Sequence, residues 1–140
     1  MKLTKHASTN YRALAPFLDA TDRKQDKAAK FLAPGYMPLC VECVGYSVHG
    51  CPVYSIAHYG EQNGDAMRDP EMTVAVDRKA GTVDPLTYRN DYMGVDQEVY
   101  TERNGKEFFR PNLRTSLDDF LWHWLKNLKD QGFDPAKEDA

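Results

Sequence analysis

Several things are scarce in this chain of 140 residues, and each scarcity closes off a class of protein. Three cysteines make an odd count with no disulfide framework, which points to a reducing, cytoplasmic setting. No apolar run is long enough to span a bilayer, so no membrane partner is expected. The first residues, MKLTKHASTNYRAL, carry bases but no apolar signal core, which argues against secretion. There is no excess of basic residues: 18 Lys and Arg stand against 21 Asp and Glu, for a formal charge of −3. That balance does not favour nucleic acid as a partner, although a local basic patch is compatible with it. No phosphate-cradling glycine loop, dinucleotide fingerprint or nucleophile elbow is found. No internal repeat or low-complexity segment is seen, and no cofactor is implied.

What is present is one domain's length with an ordinary apolar fraction of 41%. We read residues 1–140 as a single domain, with 1–7 and 134–140 frayed and 19–32 a charged surface segment. An N-terminal helix is expected from a cap at Ser8 or Thr9, with Tyr11, Leu14 and Leu18 on one face; at Pro16 it either ends near Ala15 or restarts. Met37 to Tyr46 reads as a strand, with Leu39, Val41 and Cys43 on one face and Cys40, Glu42 and Val44 on the other. Two segments alternate with a period of two, Val53 to Tyr59 and Met72 to Val76, and form the arms of a hairpin. Between them Gly60 to Pro70 reads as a long polar connection containing the Asn63-Gly64 turn signal.

Further on, Thr82 to Tyr88 reads as an edge strand because Pro85 interrupts it, and Gln97 to Thr101 as another strand. Asn104-Gly105 is a turn, and Glu107 to Arg110 a short strand. The final helix is capped at Thr115 or Ser116, with Asp118 and Asp119 in its first turn. Leu117, Phe120, Leu121, Trp124, Leu125 and Leu128 form its apolar stripe, and Gly132 ends it. The sum is an α+β domain: a meandering antiparallel sheet of about four to six strands, with an N-terminal helix and a C-terminal amphipathic helix on one face.

Three groups of residues could carry chemistry. The first is a polar box holding His58, Tyr59, Glu61, Gln62, Asn63, Asp65, Asp69 and Glu71. Carboxylates beside an imidazole can bind an ion or exchange protons, but the spacing fits neither a zinc helix nor a calcium loop. The box is read as loop scaffolding, as a surface for a partner, another protein being the expected one, or as a catalytic or metal site. The second group is Cys40, Cys43, His49 and Cys51, a zinc set on paper. On a strand, however, residues 40 and 43 point to opposite faces. The third is Asp69, Asp77 and Lys79, a loose likeness to a metal-dependent nuclease that keeps a hydrolase open as an alternative.

The string AHYGEQNGDAMRDPEM, with GYMPLCVE before it and FLWHWLKNLKDQGF near the end, resembles a family of small bacterial, phage and mobile-element proteins known as a domain of unknown function. The likeness runs from about Ala33 to Phe133. Asn10-Tyr11-x-x-Leu14 and the Trp-Leu helix are similar, more faintly, to a second small bacterial family. The resemblance implies a cytoplasmic accessory protein of a mobile element, with action against host defence among its roles. It supplies no catalytic residue and no cofactor.

Overall fold

Periodic burial accounts for the first helix, α1 (Ala7–Asp22). Ala7, Asn10, Leu14, Phe17, Leu18 and Thr21 recur at helical spacing and are all buried. Pro16 does not end it. The carbonyl Pro16 leaves unpaired belongs to Arg12, on the same exposed side, where water can satisfy it. Neither Ser8 nor Thr9 caps this helix. The N-cap is His6, whose backbone N–H donates to Asp118 Oδ2 at 2.9 Å, while Thr4 Oγ1 donates to Asp118 Oδ1 at 2.6 Å. Residues 2–139 are described by the computed structural model, and the chain's start is thus fastened to the far helix.

Six strands follow in a meander: β1 (Ala28–Phe31), β2 (Leu39–Tyr46), β3 (Pro52–Gln62), β4 (Asp65–Asp77), β5 (Thr82–Asn90) and β6 (Val95–Glu98). They pair in chain order, every pair antiparallel. β1 lies inside the segment expected to be a charged surface stretch; only Ala29 and Phe31 turn inward, too few to register as a pattern. β5 is not an edge strand. It lies between β4 and β6, and Pro85 is tolerated beside a register shift in the β4–β5 ladder. The strand expected over Gln97 to Thr101 breaks at Val99, which is fully buried and donates its N–H to Leu86. Beyond it, β7 (Tyr100–Arg103) and β8 (Lys106–Phe109) form a separate two-stranded hairpin.

The last helix, α2 (Pro111–Gln131), begins at Pro111 rather than at Thr115 or Ser116. Proline suits the first helical position, where no N–H is required. Thr115 instead turns its hydroxyl back to the Pro111 carbonyl at 3.1 Å. Asp118 and Asp119 therefore lie beyond the first turn. Leu117, Leu121, Trp124, Leu125 and Leu128 are buried, whereas Phe120 sits at the margin, edge-on to Tyr88. Gly132 ends the helix in the left-handed conformation, and the N–H of Phe133 closes back on Leu128. Both helices pack on one face of the sheet, over Val41, Tyr54, Ile56, Met72, Val74, Val76 and Val83.

Candidate functional site

The central hairpin, β3–β4, is longer than either of its neighbours requires. β2 reaches β3 only over Pro52 to His58, and β5 reaches β4 only over Glu71 to Asp77. Past those limits the two strands pair with each other alone, from Tyr59 opposite Arg68 to Gln62 opposite Asp65. Asn63 and Gly64, both at positive φ, close them in a two-residue turn. The long loop expected between Gly60 and Pro70 is therefore an extended β arm. Its sequence hides this because the arm has no buried face and so no alternation. A register shift at Ala57/Tyr59 marks where the arm begins, beside the cis Asp69–Pro70 peptide.

The β5–β6 turn braces the arm. The Arg68 guanidinium grips Asp91 with two bonds, Nε to Oδ2 at 3.0 Å and Nη2 to Oδ1 at 2.9 Å. The backbones also lock: Arg68 N–H donates to Asp91 Oδ2 at 2.7 Å, and Asp91 N–H to the Arg68 carbonyl at 2.9 Å. These donors hold the Asp91 carboxyl below its ordinary value, and the same bonds raise Arg68. Tyr92 lies across Gly60, where any Cβ would collide with the ring, and donates its hydroxyl to the Glu61 carbonyl at 3.3 Å. Asn90 donates to Asp69 Oδ1 at 3.2 Å.

Apart from Asp69, which Asn90 holds at the brace, the box residues are divided among three places. Glu61, Gln62, Asn63 and Asp65 stand exposed at the tip of the arm, and none of their side chains bonds another group among the described residues. Tyr59 and Glu71 lie on the sheet face away from the helices. There Ser55 donates to Glu71 at 2.7 Å, and Arg89 and Arg68 flank the carboxylate at 3.7 and 3.9 Å. Burial, then the charge of Glu71, raises the Tyr59 phenol. A shallow concavity of about 400 Å³ adjoins Tyr59, lined by Lys24, Lys30, Cys40, Glu42 and Ser55. His58 belongs to neither surface. It is 8% exposed and wedged under α2, with Nδ1 at 3.0 Å from the Pro38 carbonyl and Nε2 accepting the Trp124 indole N–H at 3.4 Å. That geometry makes Nδ1 the protonated nitrogen.

The other two groups do not assemble. Asp69 and Asp77 lie on one strand eight residues apart, roughly 26 Å at the usual rise, so no single ion touches both. Asp77 bonds the N–H of Ala80 in the following turn, and Lys79 is exposed there. Cys40 faces the uncovered side of the sheet opposite Ala57, while Cys43 lies opposite the helix-facing Tyr54. His49 is in the β2–β3 turn, and all three thiols are free. Burial raises the Cys40 thiol, which disfavours the thiolate that a metal would need. Among the described residues no three His, Cys, Asp or Glu side chains are grouped to hold a metal ion.

Sequence reasoning missed Arg68, Arg89, Asp91 and Tyr92.

The domain family DUF6908, described as a domain of unknown function, matches residues 10–134, which contain both helices' cores, the arm and its brace. The chain belongs to this family. No curated protein and no solved structure matches it. Among the described residues, no helix of this DUF6908 chain is long and apolar enough to cross a membrane.

Proposed function

We propose that this DUF6908 domain is a non-enzymatic binding protein that presents the β3–β4 arm to a protein partner. One observation carries the reading: a segment that buries almost nothing is nonetheless fastened at its base to the β5–β6 turn. The Arg68–Asp91 clamp and the Tyr92 contact over Gly60 stiffen the arm, while the tip side chains keep their hydrogen-bonding capacity free. Ordering a contact surface before encounter removes part of the entropy cost of binding. The resemblance carried by the box supports an accessory role in a bacterial mobile element or phage, with a host-defence component as the partner class to examine first.

The test removes tip chemistry and leaves the Asn63-Gly64 turn intact. In a Glu61→Ala, Gln62→Ala, Asp65→Ala variant the melting temperature should stay within a degree or so, because these side chains are exposed and unbonded. Affinity capture from the native host, repeated with the purified partner, should fall by at least tenfold. Equal capture by variant and wild type would refute the assignment, as would a collapse of the melt.

A further inference from the structure

The hairpin β7–β8 is built against its own stability. In its register Arg103 lies directly opposite Lys106, and Glu102 directly opposite Glu107. Like charges placed across a ladder repel, and neither pair is relieved by an ion pair among the described residues. Because faces alternate along a strand, the repulsion also sorts the charges. Thr101, Arg103, Lys106 and Phe108 share one face, while Tyr100, Glu102, Glu107 and Phe109 share the other. The second face begins at the protein body, where Tyr100 stacks on Phe109 and donates to Asp84 at 2.7 Å. Phe108 on the first face is 47% exposed and Phe109 on the second 44%, so what sets the first face apart is its cations. Arg110 joins that face by donating to Thr101 Oγ1 at 3.2 Å and to the Glu98 carbonyl at 3.0 Å, with no carboxylate partner among the described residues. A trough of about 500 Å³ is lined by Asp96, Gln97, Glu98, Thr101, Arg110 and Leu113, and its two acids, Asp96 and Glu98, are paired with Arg89.

We infer that this face is a contact site for single-stranded nucleic acid. Arg103, Lys106 and Arg110 would meet phosphates, and the open ring of Phe108 would take a stacked base. An acidic peptide would use the cations but has no need of the ring. The site is separate from the arm, so its fate and that of the arm are decided independently.

The experiment is fluorescence polarisation with a labelled oligothymidylate or oligouridylate of about 12 nucleotides and the intact chain. Binding should weaken with salt, with a log–log slope of about −2 for three phosphate contacts. Phe108→Ala should weaken it about tenfold. Lys106→Glu is the decisive variant. It turns a repulsive cross-strand pair into an attractive one, so the melting temperature should hold or rise while binding falls at least tenfold. Lys126→Glu, on α2, should leave binding unchanged. The inference fails if neither oligonucleotide binds, if Phe108→Ala and Lys106→Glu bind as wild type does, or if a polyglutamate peptide competes as well as unlabelled oligonucleotide.

Discussion

His58 opens the polar box in sequence but belongs to the core in space, and that can be measured. In His58→Ala the Pro38 carbonyl and the Trp124 N–H both lose their partner. Two net hydrogen bonds are worth roughly 1 kcal/mol each, and the lost burial of the ring adds about 1 kcal/mol. The expected cost is therefore about 3 kcal/mol, a large share of the 5–15 kcal/mol that typically holds a domain together. Urea melts should show a lower midpoint with an unchanged slope. Trp124→Phe keeps an aromatic ring near Phe120 but removes the indole donor and leaves a smaller ring, and the double-mutant cycle subtracts that packing loss. A double-mutant cycle with His58→Ala should thus return a coupling of about 1 kcal/mol. Partner capture per folded molecule should not change in His58→Ala, because the ring touches no exposed surface of the arm. A cost under about 1 kcal/mol, or a coupling near zero, would refute the placement of this imidazole as a strut between β3 and α2.

Two further outcomes concern pH. Asp91 is held below its ordinary carboxylate value by Arg68, so its contribution is complete above about pH 4 and lost as the pH falls through the depressed folded value. The stability gap between wild type and Asp91→Asn should accordingly close in acid; a gap constant down to pH 2 would contradict the clamp. Burial and the bond to Asp84 push Tyr100 from its ordinary 10.0 up to about 12, and burial with the bond to Asp22 raises Tyr54 as well. A raised phenol contributes fully below pH 10 and loses its contribution as the pH climbs to the folded value. Stability should therefore drop between pH 10 and 12, and Tyr100→Phe should shallow that drop; an unaltered alkaline limb would contradict it.

The fold was legible wherever burial is one-sided. The stripe from Leu117 to Leu128, the alternation of Tyr54 and Ile56 and of Met72, Val74 and Val76, and Gly132 after the last apolar turn each repeat a period that only one element satisfies. Boundaries were less legible because capping residues are ambiguous. Ser8 and Thr115 look like caps, yet α1 starts after His6, whose N–H is held by Asp118 more than a hundred residues away, and α2 starts at Pro111. The arm was illegible because both its faces meet water. Its brace was illegible because Arg68 and Asp91 are joined by a register no local spacing reveals. His58 was read as chemistry because an imidazole among acids invites it; its partners are a carbonyl on β2's approach and an indole on α2.

The segment after α2 returns to the outer side of β1, where Glu138 bridges Phe31 and pairs with Lys24, and Asp139 N–H donates to Lys30. That places a short strap along a sheet margin whose amides would otherwise be open to a neighbouring molecule. A change that unseats Glu138 would reopen this margin and invite ribbon-like self-association. Immobilisation or labelling is therefore better directed to the exposed β2–β3 turn around Val48 and His49, which leaves the margin closed.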